Sequence, residues 1–165
     1  MELHPAIVHF PIALLITAGG FYTWAFFKHD NSIGMAAFIL HIIGLAGMGL
    51  AVLSGEQAEG ELIHTKAIHE LVEQHELYSF ILLWLFGMLL AWYFLRSRTW
   101  VNLEKMGYLA VFWVLVVVMG YSAYLGGQLV YTHGAGVAPM KPIHKEIFQQ
   151  EQQALPDNPS KADDD

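Results

Sequence analysis

The chain has 165 residues, 55% of them hydrophobic and only 14% charged, with a formal net charge of −7. That composition excludes an ordinary soluble domain, whose surface needs far more charge, and the acidic balance argues against nucleic acid as a partner. Cysteine is absent, which excludes disulfides, thiolate metal centres, iron–sulfur clusters and haem attached through C-x-x-C-H.

Four apolar runs, residues 5–27, 34–54, 77–95 and 108–131, carry no Asp, Glu, Lys or Arg. At ~1.5 Å per residue each is long enough to cross a ~30 Å hydrocarbon core. None has the full polar face that a soluble amphipathic helix needs. The expected fold is all-α, an integral membrane four-helix bundle. The first run, MELHPAIVHFPIALL onward, has nothing basic before Lys28, so it reads as a retained helix and not as a cleaved signal. Pro5 suits a first helical turn. Pro11 removes the bond to the Ile7 carbonyl and is expected to bend the helix and turn His9 inward.

The loops give sidedness. KHDN holds Lys28 and RSRTWVNLEK holds Arg96, Arg98 and Lys105, whereas the loop between them has six glutamates and Lys66. The basic bias places the first and third loops in the cytoplasm and both termini outside. The implied location is the bacterial inner membrane, multi-pass, with an acidic periplasmic face that suits a basic soluble partner. The pair Ser54–Gly55 reads as the end of the second helix, and the third is free to extend above the membrane from the glutamate-rich loop. Gly134 and Gly136 supply a turn after the fourth helix. Residues 1–138 thus form the membrane domain, 139–154 a polar extramembrane helix and 155–165 a disordered acidic tail. Lone glycines in the spans (Gly19, Gly20, Gly44, Gly47, Gly87, Gly120) read as close-packing positions.

Nine histidines are present, and by this topology most gather at the outer end. His4 and His9 begin the first helix, His75 enters the third and His133 follows the fourth. Histidines brought together by separate helices are how bundles hold cofactors. The stripe Tyr121, Tyr124, Gln128 and Tyr131 is expected to line a cavity beside them, with Tyr124 and Tyr131 as cofactor contacts. The apolar, aromatic, glycine-rich setting favours haem b, one or two, whose iron takes axial imidazoles. His9 with His75 would clamp one haem across the core, and His4 with His133 a second. His41 lies too deep to join either pair and reads as a buried, hydrogen-bonded residue.

The strings HPAIVHFP, SGEQAE, EQHE and GGQLVYTHGAGV, spanning about residues 3 to 138, resemble a family of bacterial predicted membrane proteins. That family is catalogued as a domain of unknown function with four transmembrane helices. The resemblance implies that fold and membrane location, and its pattern falls on His4, His9, His75 and His133. It also implies respiratory and cytochrome-type company. The functional expectation is a haem-b-binding electron-transfer subunit without catalysis of its own. It would work between a quinone or partner cytochrome and a respiratory assembly, beside other membrane subunits. The alternatives are a divalent-metal (zinc or copper) protein using the same histidines, and a cofactor-free structural subunit.

Overall fold

The computed structural model describes residues 3–60, 62–63, 65–97 and 99–154. The tail 155–165 and His64 therefore lie outside the described residues. Four long helices form the body: α1 (Leu3–Lys28), α2 (Asn31–Glu59), α3 (Lys66–Arg96) and α4 (Asn102–Tyr131). A 3₁₀ turn, Ala138–Met140, leads into α5 (Lys141–Ala154). All four long helices are long and apolar enough to cross a membrane, and the chain is a multi-pass membrane protein. Neighbours around the bundle are α1–α2, α2–α3, α3–α4 and α4–α1. That order makes α1 and α3 diagonal, and likewise α2 and α4.

Each helix turns one seam inward at alternating three- and four-residue steps, the repeat that keeps a side chain facing its neighbours in a bundle. On α2 the buried seam is Gly34, Ala37, His41, Gly44, Met48 and Ala51. On α3 it is Ile68, Val72, Leu82, Phe86 and Leu89, and on α4 Tyr108, Phe112, Leu115, Met119, Ser122 and Leu129. On α1 it is Pro11, Leu15, Ala18 and Tyr22. The outward faces keep Trp24, Leu50, Trp84 and Val117 exposed, as a lipid-solvated surface requires.

α1 and α2 form the tightest hairpin. His29 takes a left-handed conformation at φ 54°, and the Asp30 carboxylate caps α2 by accepting from the Ser32 and Ile33 amides at 2.8 and 3.2 Å. Gly44 meets Leu15, and Gly47 meets Phe10 and Pro11, so these glycines let the two backbones approach. Gly20 and Gly120 face open space and are not packing positions. At the end of the bundle that holds this turn, Trp92, Tyr93, Trp100 and Tyr108 stack in successive ring contacts.

Two expectations are corrected. Ser54–Gly55 does not end the second helix, which runs on to Glu59. Nor does Pro11 turn His9 inward: Pro11 is itself the buried residue, and His9 is exposed. Two residues apart on an α-helix is about 160° around its axis, so a proline that faces α2 sends His9 outward. The His9 Nδ1–H is given to the Pro5 carbonyl of its own helix.

α3 begins at Lys66, well before its apolar run, and α4 rises beside it. Ile68, Val72, Leu129 and Ala135 form a small second core there, with Leu62 and Leu71 packed on it. α5 is pinned across this cap at two points. His144 Nε2 donates to the His133 carbonyl at 2.8 Å, and the Glu151 carboxylate accepts the Lys66 amide at 3.0 Å.

Candidate functional site

His4 and His75 lie on the diagonal helices α1 and α3, and their rings meet edge-on with centroids 6.4 Å apart. His4 sits seven residues before Pro11, which is within about 20° of the same helical direction, so the seam that buries Pro11 also turns His4 inward. His75 falls between Val72 and Ser79 on the seam of α3. Each ring is backed by a glycine on an adjacent helix. A methyl group at Gly55 of α2 would stand 3.2 Å from His4 Cε1, and one at Gly126 of α4 would stand 3.2 Å from His75 Cε1. Histidines thus hold one diagonal of this layer and glycines the other.

Both rings are anchored through Nδ1. His4 Nδ1 is 3.0 Å from Ser54 Oγ. His75 Nδ1 donates to the Ser122 carbonyl at 2.8 Å and lies 3.3 Å from Ser122 Oγ, which in turn is 3.1 Å from Ser79 Oγ. Neither Nε2 has a hydrogen bond to a described residue. The two histidines line a cavity of about 390 Å³, walled also by Pro5, Ala58, Leu62, Gly126, Leu129 and Val130 and roofed by Ala135, Gly136 and Val137. The roof depends on Gly134 and Gly136, at φ 63° and 78°, where a side chain would be strained. The GGQLVYTHGAGV string therefore builds a wall (Gly126, Leu129, Val130) and a roof.

The other expected site residues fall elsewhere. His9 faces outward, and the histidine that the fold brings beside His75 is His4. Half-buried His133 acts through its backbone, its amide donating to the Gln128 carbonyl at 3.2 Å and its carbonyl receiving His144, and His133 does not line the cavity with His4. Tyr121, Tyr124 and Tyr131 are exposed, because their stripe lies on the far side of α4 from the Ser122–Gly126–Leu129 seam. Tyr124 Oη accepts from Gln128 Nε2 at 2.9 Å. Sequence reasoning missed Ser54, Gly55 and Ser122 as site residues, and expected Gly126 only as space beside the tyrosine stripe. Their signal was position on the seams, level with the histidines.

Beside the site, Glu76 precedes the apolar run of α3. Burial pushes its carboxyl up, and the hydrogen bond that protonated Glu76 donates to Glu59, with the charges of Glu59, Glu56 and Glu73, adds to the shift. At the opposite end, hydrogen bonds from Arg96 (2.7 Å) and the Val101 amide (3.2 Å) hold Glu104 below the ordinary carboxylate range.

Two imidazoles lining an apolar cavity could serve a metal that takes axial ligands. Two imidazoles sharing one atom at ~2 Å from each nitrogen place their ring centroids roughly 6 Å apart, close to the separation seen. Zinc or copper needs three or four protein ligands, and among the described residues no group of three or more His, Asp or Glu converges.

The family model described as "Predicted membrane protein (DUF2231)" matches residues 1–139, which take in all four long helices and every cavity residue named above. The chain belongs to that family. No curated protein and no solved structure matches it.

Proposed function

From that membership, and from the paired histidines, we propose that this chain is a haem-b-binding membrane subunit that carries electrons at the His4–His75 end of its bundle. Loop charge supports a reading in which that end faces the periplasmic side of a bacterial inner membrane. The observation that carries the reading is one pair of rings: two imidazoles on diagonal helices, 6.4 Å apart, each anchored through Nδ1 over an apolar cavity. His4 and His75 would be the axial ligands, and the haem would supply one-electron exchange at its iron. Filling both axial positions suits electron transfer better than oxygen chemistry. The protein's part is to hold both imidazoles, exclude water with Leu62, Leu129, Val130 and the 135–137 roof, and leave room through Gly55 and Gly126. The electron partners would be a quinone in the surrounding lipid or a cytochrome of a respiratory assembly, the latter favoured by the acidic residues around the cap.

The test is a reduced-minus-oxidised visible spectrum of protein purified from haem-replete cells, with metal analysis alongside. A b-type α band is expected, lost in His4→Ala and His75→Ala and kept in His9→Ala and His133→Ala. Stoichiometric zinc or copper without haem would select a divalent-metal protein. A colourless, metal-free protein would leave a structural subunit.

A further inference from the structure

We propose that Ser54 is the positioning residue of this site: its hydroxyl sets the tautomer of His4 and keeps Nε2 unprotonated for a metal. The inference rests on the haem-binding reading and deepens it.

A serine hydroxyl has one hydrogen. Ser54 Oγ gives it to the Ala51 carbonyl at 2.9 Å, so toward His4 Nδ1 at 3.0 Å it offers a lone pair. Nδ1 is then the protonated nitrogen of His4. The same holds for His75, because the Ser122 carbonyl at 2.8 Å only accepts. A neutral imidazole carries a single N–H, so Nε2 is bare on both rings. A metal takes that tautomer, and a hydrogen-bond acceptor on the far nitrogen also makes the ligand more basic.

The two anchors differ in kind. For His75 the deciding acceptor is main chain, which no side-chain substitution removes. For His4 the acceptor hydrogen-bonded at 3.0 Å is a side chain, placed a single residue before the glycine that gives the ring its space, and the Ala51 carbonyl that takes the serine's own proton is a second, main-chain neighbour of the ring. Ser54→Ala frees the His4 ring to carry its proton on either nitrogen, while Ser54→Thr keeps the hydroxyl.

The tautomer is read directly by ¹⁵N NMR of histidine-labelled, haem-free protein in phosphatidylcholine nanodiscs, with His4→Ala and His75→Ala supplying the assignments. Wild-type protein should show Nδ1–H at both His4 and His75. Ser54→Ala should give a mixture at His4 and no change at His75, and Ser54→Thr should restore the wild-type pattern. In a haem titration Ser54→Ala should bind roughly tenfold more weakly, the lower bound for losing such an outer partner, and Ser54→Thr should recover. An Nε2–H at His4 in the wild type, or a His4 tautomer indifferent to Ser54→Ala, overturns the proposal. The expected tautomers with no haem uptake would overturn the haem reading and leave Ser54's control of His4 standing.

Discussion

Gly126→Ala separates the site from the stability of the bundle. The added methyl would stand 3.2 Å from His75 Cε1, 3.5 Å from Nδ1 and 3.6 Å from Nε2, so the ring must retreat by a few tenths of an ångström. The 2.8 Å bond to the Ser122 carbonyl holds the ring in place. A displacement of that size lengthens the bond to roughly 3.1 Å, still within hydrogen-bond range, and the loss is a fraction of the ~1 kcal/mol that such a bond contributes. Alanine in place of glycine returns up to about 1 kcal/mol of helix propensity. The two nearly cancel, and unfolding in detergent should change by less than about 1 kcal/mol. Cofactor geometry is less forgiving, because ligands must be held within about 0.5 Å of their productive positions. Haem titration should therefore show affinity lower by about tenfold, which corresponds to ~1.4 kcal/mol. Gly120→Ala is the control: nothing lies within 4 Å of the added methyl, so stability should hold or rise and affinity should not move. Wild-type affinity in Gly126→Ala would refute the assignment of His75 and its glycine to the site. A fall in affinity matched by an equal fall in stability would refute the separation of the two.

Gly44→Ala should destabilise by about 1–3 kcal/mol as an overpacking substitution, since its methyl meets Leu15 Cγ and Cδ2 at 3.0 Å. Unfolding in detergent beside Gly20→Ala, where the space is open, checks it, and equal effects would contradict the α1–α2 packing. Glu76→Gln should stabilise at pH 8 and make no difference at pH 4. The native carboxyl titrates at about 7, above its unfolded value, so wild-type stability falls as pH rises between the two. Because the group is only half-buried and solvent screens its neighbours' charges, the gain should be about 1 kcal/mol or less, and a mutant–wild-type difference in melting temperature that does not vary with pH would overturn it.

The spans were legible because uncharged runs of about twenty residues have few other destinations. Their diagonal arrangement followed from short connections. The site was legible by level and not by face. His4, His9, His75 and His133 share one end of the bundle, but only a seam residue reaches the interior, and His9 lies between seam positions. Counting back from Leu15 through Pro11 in steps of four and seven lands on His4, so the information was present in the first fifteen residues. It was obscured by treating Pro11 as a hinge when it is a packed residue against Gly47. Ser54 and Gly55 were hidden for a related reason. In water the pair is a helix stop, but in a bundle small and hydroxylated residues let helices approach, and the chain stays helical. The pairing of His144 with the His133 carbonyl was not readable, because no local pattern links a capping helix to the turn beneath it.

His41 shows why position on the seam is necessary and insufficient. It is fully buried, and its Nδ1 faces Tyr108 Oη on the diagonal helix at 3.4 Å, much as His4 faces His75. Its Nε2 has no hydrogen-bond partner among the described residues. Yet the rings of Phe112, Phe86 and Tyr22 close around it, with centroids 5.2, 5.8 and 6.1 Å away. Aromatic rings fill the layer, and the glycine of α1 at this level, Gly19, is closed off by the Phe112 ring, 3.0 Å from where a methyl would stand. The His4–His75 layer reverses this, with Gly55 and Gly126 on the second diagonal and the cavity above. The two layers have the same heptad geometry and the same residue type. They differ in what occupies the remaining corners, and that occupancy leaves one histidine packed in the core and the other pair lining a cavity.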